Sequence, residues 1–263
     1  MSGAGNDFAI FDARKSEITL TANQIQKISD RKNIGCDQLI ILKPPLKKGE
    51  ELQSSEGGFD VEMEIYNSDG SKSGACGNAT RCVASLIIDE TKKPEIKIKT
   101  AAGILICKKS GDLISVNMGK AKFSDGISLY GFDFSCADVG NPHAVTFIKE
   151  KISDEKFFEV GPKVEVDKFF PNKTNVEFAQ ILSDNLIEVR VFERGAGETL
   201  ACGSGACAVG VLAIKNSLIK TKKVTIRFKG GDLQIELLDD NSIVMTGGYE
   251  KIFSGEIDEN FLS

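Results

Sequence analysis

Two cysteines occupy the same place in two copies of one pattern. The segment VEMEIYNSDGSKSGACGNATRCVA (61–84) aligns without a gap on IEVRVFERGAGETLACGSGACAVG (187–210), 126 residues further on. Each copy runs from an alternating stretch through a glycine-containing turn to Ala-Cys-Gly, then into an apolar run. Cys76 is followed by Gly77 and Asn78, and Cys202 by Gly203 and Ser204. Asn and Ser are favoured at helix starts, so Asn78 and Ser204 are read as N-caps of two helices. A helix start offers unpaired N–H groups and partial positive charge. It favours the thiolate of a nearby cysteine, whose free pKa is about 8.5, and it holds carboxylates. A duplicated fold that aims two such starts at one carboxylate sets a thiol on either face of the neighbouring carbon. One removes a proton while the other delivers one, which inverts the centre. The carbanion of an amino acid normally needs pyridoxal phosphate as electron sink. Here, backbone donors at two helix starts would carry the charge instead.

The elements that must position these residues follow from the same repeat. Ile96 and Ile98 match Val224 and Ile226, Ala102-Gly103 matches Gly230-Gly231, and Gly5-Asn6 matches Gly140-Asn141. Val116 and Gly119 match Val244 and Gly247 at an offset of 128. Short β-branched or alternating runs predict strands at 8–11, 38–42, 61–66, 96–100 and 104–107. In the second half they fall at 144–147, 176–181, 187–192, 224–228, 233–237 and 242–245. The alanine-rich apolar runs 82–88 and 207–214 predict buried helices, and 21–31 an amphipathic surface helix. The expected fold is α+β: two pseudo-symmetric domains, each a mainly antiparallel, barrel-like sheet wrapped around one central buried helix. The first covers 1–120 and the second 121–248, with a boundary near 119–131, which is poor in apolar residues. The last stretch, 249–263, has no counterpart and is expected to return to the first domain.

The chain has 263 residues, a net charge of -5 and 41% hydrophobic residues. That excludes a disordered chain, and nucleic-acid binding, which calls for a basic stripe, is not expected. No apolar run approaches the ~20 residues of a membrane span, and no secretory signal precedes Phe8. Seven cysteines without a signal peptide point to reduced thiols in the cytoplasm. Cys36, Cys107 and Cys136 sit in or beside apolar segments and read as core, as do Cys82 and Cys207 within the helices. A zinc site of Cys76, Cys82, Cys202 and Cys207 is disfavoured by intervals of five and four residues. A single histidine, His143, excludes a multi-histidine metal site.

Six segments in fixed order resemble the diaminopimelate epimerase family. They are GAGNDF (3–8), GCDQL (35–39), NSDGSKSGACGNATRC (67–82), GNPH (140–143), TNVEF (174–178) and ERGAGETLACGSGAC (193–207). The resemblance spans almost the whole chain. It implies interconversion of LL- and meso-diaminopimelate without cofactor or metal, on the route to lysine and peptidoglycan, by a homodimer. It makes Cys76 and Cys202 the acid/base pair and Gly77, Asn78, Gly203 and Ser204 the carboxylate cradle. Asn6, Gln38, Asn67, Asn141, Asn175, Glu193 and Arg194 match substrate-contacting positions. An arginine fork suits a carboxylate, Glu193 suits an ammonium, and an Asn amide suits either. His143, with Glu193, is expected to tune the thiols, and Arg81 to be a solvated or structural charge. The rival readings are a proline, hydroxyproline or histidine racemase on the same fold, and a non-catalytic thiol or zinc protein. Two departures stand out. The sequence opens almost at GAGNDF, so most of the usual first strand is absent, either because the start is placed late or because the strand is shortened, and Ala79-Thr80 replaces the more usual Gly-Ala.

Overall fold

A computed structural model describes residues 1–45 and 58–262. The chain forms two compact units, Met1–Val116 with Gly248–Ser263, and Asn117–Gly247.

The first unit contains β1 (Ser2–Gly3), β2 (Asn6–Asp12), α1 (Ala22–Ser29), β3 (Gln38–Lys43), β4 (Val61–Asn67), β5 (Lys72–Ser73), α2 (Gly77–Thr91), β6 (Glu95–Thr100) and β7 (Gly103–Ser110). The pairs β1–β2, β3–β4, β4–β5 and β6–β7 are antiparallel. The pairs β2–β3 and β4–β6 are parallel, each closed by a helical crossover. β8 (Leu113–Lys120) contains the point at which the two units divide.

The second unit repeats the plan with β9 (Lys122–Leu129), β10 (Phe132–Asp138), β11 (Pro142–Ile148), α3 (Asp154–Glu165), β12 (Asn175–Ser183), β13 (Leu186–Glu193), β14 (Gly197–Glu198), α4 (Gly203–Lys215), β15 (Lys223–Phe228), β16 (Gly231–Leu237) and β17 (Ser242–Gly247). Again two crossovers are parallel, β11–β12 and β13–β15, while the other pairs are antiparallel. The run from β2 to β8 thus has the same order and strand directions as the run from β11 to β17 wherever pairing is defined. This α+β duplication agrees with the fold expected from the cysteine repeat.

The central helices are buried on nearly every side. Cys82, Val83, Ala84, Ile87 and Ile88 of α2 are inaccessible, as are Ala206 through Ala213 of α4. A helix apolar all round needs a surrounding shell, and the strands supply it. Small residues let that shell close in: a Cβ on Gly210 would lie 2.8 Å from Ile235 Cγ2.

The surface helix α1 is shorter than 21–31. Thr21 caps it in a reciprocal box with Gln24, and Ile25 and Ile28 face the core. Ile257, Phe261 and Leu262 pack on the same cluster. Main-chain bonds link Ser2 with Glu250 in both directions. These contacts hold the final segment against the first unit.

Two features depart from the sequence reading, and a third decides between two alternatives it left open. The stretch 119–131, expected to hold the boundary, carries the end of β8 and all of β9, a mostly exposed strand paired with β10. The division of the chain falls before it, after Val116. Helix α3 had no counterpart in the reading, although Phe157, Val160 and Val164 are buried at helical spacing beneath a Ser153 cap. Arg81, expected to be a solvated or structural charge, is the structural one: it is fully buried and donates from Nε to the Gly248 carbonyl (3.2 Å) and from Nη1 to that of Gly77 (3.4 Å).

Candidate functional site

Both cysteines cap their helices themselves. Cys76, in extended conformation, is the N-cap of α2, and its sulfur accepts from the Ala79 N–H at 3.5 Å. Cys202 is the N-cap of α4, and its sulfur accepts from the Gly205 N–H at 3.4 Å. Asn78 and Ser204, expected as caps, lie inside the first turn instead. The thiols therefore sit against the positively polarised helix starts. The N–H groups of Gly77 and Asn78, and of Gly203 and Ser204, precede the first helical acceptors and have no partner within the helix.

In the first unit, α2 and the parallel strands β2 and β3 gather the polar side chains. Asn78, nearly inaccessible, donates from Nδ2 to Asn6 Oδ1 at 2.6 Å, and its own Oδ1 is buried without a hydrogen-bond partner among the described residues. Asn6 Nδ2 in turn donates to Asp37 at 3.3 Å, and Arg31 clamps both Asp37 and Asp7. Gln38 and Asn67 stand opposite each other in the β3–β4 register, and Gln38 Nε2 donates to Asn67 Oδ1 at 3.0 Å.

In the second unit, Cys202 shares a buried pocket with carboxylates. Glu193 ends β13, and it accepts from Thr199 Oγ1 at 2.5 Å and from the Cys202 thiol. Burial raises the Glu193 pKa above its ordinary value; the two hydrogen bonds oppose this, and the Glu177 charge adds to it. The Cys202 thiol is pushed well above the ordinary cysteine range, first by burial, then by the charges of Glu193 and Glu177. The bonds from Ser204 and Gly205 pull it back only in part. This reverses the expectation for Cys202: loss of water and two acidic neighbours outweigh the helix start, and the group rests as a thiol.

His143 is also buried. Its Nδ1 lies 2.6 Å from Glu177 Oε1 and its Nε2 lies 3.0 Å from Asn141 Oδ1. Asn175 joins two loops, donating from Nδ2 to the Pro142 carbonyl (2.9 Å) and accepting at Oδ1 from the Arg194 N–H (3.0 Å). The Arg194 side chain reaches the Asn172 carbonyl at 3.2 Å. A cavity of about 840 Å³ is bordered by Asn141, His143, Arg194, Lys122, Lys173 and Asp138, with Phe169 and Phe170 on one wall.

Each unit thus assembles its own share of the candidate residues: Cys76, Gly77, Asn78, Asn6, Gln38 and Asn67 in the first, and Cys202, Gly203, Ser204, Asn141, His143, Asn175, Glu193 and Arg194 in the second. Sequence reasoning missed Glu177, Thr199 and Asp37. Glu177 had a signal, because it stands two residues beyond Asn175 and a strand returns to the same face at that interval.

The duplicated plan is that of a class of proteins with a buried helix in each sheet. A PhzC/PhzF protein of Clostridium difficile superposes with a TM-score of 0.68 at 17% identity, over 97% of this chain and 93% of its own. A probable proline racemase of Agrobacterium radiobacter gives a TM-score of 0.65 at 14% identity, over 99% and 94%. At such identities they define the fold alone. Within that class, the family described as diaminopimelate epimerase matches residues 1–124 and 135–252. A diaminopimelate epimerase of Rhodospirillum centenum is 39% identical over 279 residues, covering 100% of this chain and 92% of the relative. One of Methanococcus maripaludis is 39% identical over 285 residues, covering 98% of each. The chain belongs to the diaminopimelate epimerase family.

Proposed function

We infer that this chain is an isomerase that interconverts LL- and meso-2,6-diaminopimelate, in the biosynthesis of lysine and peptidoglycan precursors. The observation that carries the reading is the equivalent placement of Cys76 and Cys202 as caps of α2 and α4, in a chain of this family. The two thiols divide the proton transfer. Cys202, held as a thiol by its surroundings, gives a proton to Cα, and Cys76, as thiolate, removes the original one. In the reverse direction the roles exchange. The N–H groups of Gly77, Asn78, Gly203 and Ser204 take the substrate carboxylate and the charge that grows on it. Asn6, Gln38, Asn67, Asn141, Asn175, Glu193 and Arg194 read the remaining amino and carboxylate groups. The same reading makes the protein a cytoplasmic homodimer that works without cofactor or metal. Among the described residues no helix is long and apolar enough to cross a membrane.

The testing experiment incubates purified, chelator-treated protein with LL-diaminopimelate and separates the stereoisomers by chiral chromatography. Meso product is expected, with no racemisation of L-proline. Turnover of proline and none of diaminopimelate would overturn the reading.

Glu193 gives a pH test with a defined sign. Its ionised carboxylate disfavours the Cys202 thiolate, second only to burial. Glu193→Gln removes that charge and lowers the thiol pKa, so the acid form is lost at lower pH. The alkaline limb of the kcat/KM profile is expected to move to lower pH. A limb that stays, or moves up, would contradict Cys202 as the acid.

A further inference from the structure

Glu177 is completely buried, and among the described residues its side chain makes one hydrogen bond, from Oε1 to His143 Nδ1 at 2.6 Å, while Oε2 has no partner. On the other side of the ring, His143 Nε2 faces Asn141 Oδ1 at 3.0 Å. An amide oxygen only accepts, so Nε2 carries a proton. Nδ1 and the Glu177 carboxyl then share one further proton, on either partner, and Nε2–H is present in both cases. The amide of Asn141 is fixed by that proton, with its oxygen against the ring and its NH2 group turned away. That Nδ2 has no protein partner among the described residues, and Asn141 borders the cavity that also carries Lys122, Lys173 and Arg194 against a single Asp138. The strand register makes the chain of contacts rigid. His143 is paired with Asn175 and Val145 with Glu177 across parallel β11 and β12, so ring and carboxyl rise from the same face.

We propose that Glu177 is a positioning residue: through the His143 ring it locks the Asn141 amide with its NH2 toward the cavity, so that this end of the site accepts a carboxylate and rejects an ammonium. A buried carboxyl with a single side-chain bond is costly, and such a group in a folded protein calls for a functional explanation. Here its use is to hold the ring tautomer that orients Asn141. The assignment deepens the epimerase reading and rests on it for the identity of the carboxylate.

Two measurements test it. His143 is the chain's one histidine, so untagged protein labelled with 15N-histidine gives one set of ring signals. The wild type is expected to show a protonated, slowly exchanging Nε2, and Glu177→Leu to lose that protection. An unprotonated Nε2 in the wild type overturns the proposal without any variant, and it leaves the epimerase reading intact if diaminopimelate is still turned over. In kinetics, Glu177→Leu is expected to raise KM for diaminopimelate by about 10- to 100-fold, the range for a hydrogen bond to a charged group. Combined with Asn141→Ala, it is expected to add less than about threefold to the single Asn variant, because both act through one amide. Fully multiplicative losses, or a fall in kcat at unchanged KM, would overturn the proposal. Absence of turnover in the wild type would instead remove the substrate reading and leave the ring measurement standing.

Discussion

Cys202→Ala is expected to lower kcat for LL-to-meso conversion by about 10²- to 10⁴-fold, the contribution of a positioned acid or base. The sulfur touches Gly205 N–H, Ser204 and Glu193, and an alanine methyl can neither hold nor pass a proton. Loss of the cap contact costs about 0.5–2 kcal/mol, so the variant still folds, and circular dichroism checks this independently of turnover. Cys76→Ala is expected to show a loss of similar size, because inversion needs both proton transfers. The double variant then falls little below either single one, as for residues that work as a unit. The check is the initial rate of meso formation by chiral chromatography. Turnover within tenfold of wild type in either single variant would contradict the two-thiol scheme.

Gly205→Ala is expected to lower kcat/KM by about 100-fold while the protein remains folded, although neither group at the site changes its chemistry. The added Cβ would lie 2.8 Å from Glu177 Oε1, 3.2 Å from Cys202 Cβ and 3.4 Å from its sulfur. The first contact is closer than carbon and oxygen tolerate, and Glu177 is not free to swing away because His143 holds it. Either that bond breaks or the first turn of α4 shifts from the thiol. A displacement of about 1 Å at a reacting group is enough for a loss of this order. In the helix itself alanine is favoured over glycine by about 1 kcal/mol. A thermal midpoint near that of wild type with collapsed activity is thus the expected signature. Unchanged kcat/KM would show that the turn is free to relax.

Much of this site could be read in the sequence because duplication exposes it. The Ala-Cys-Gly turns stood out only when 61–84 was laid on 187–210, and their buried helices followed from the alanine-rich runs after them. What escaped was set by tertiary context. The helix cap was assigned by residue preference to Asn78 and Ser204, but the chain enters each helix at the cysteine, and sulfur takes the capping role. The Cys202 pKa was expected to fall because a helix start is a local feature. The carboxylates that raise it arrive from β12 and β13, and burial depends on the whole unit. Glu177 lay inside a quoted segment, yet only the pairing of β11 with β12 brings it to His143. Segment 119–131 was read as a boundary because β9 exposes most of its side chains, which hides a strand from a search for apolar alternation. Helix α3 was hidden by Gly161, Pro162 and many charges, although three apolar residues at helical spacing marked it.

The most direct measurement follows hydrogen in the first turnovers in D2O. LL-diaminopimelate is incubated briefly with the protein, and both recovered substrate and new meso product are examined at Cα by NMR. With two separate thiols, the group that delivers a proton is not the one that removed it. The meso product should therefore carry solvent deuterium from the outset, while the recovered LL substrate keeps its original hydrogen. Meso product that retains the substrate's own hydrogen would mean that one group serves both faces, and the paired roles of Cys76 and Cys202 would be wrong.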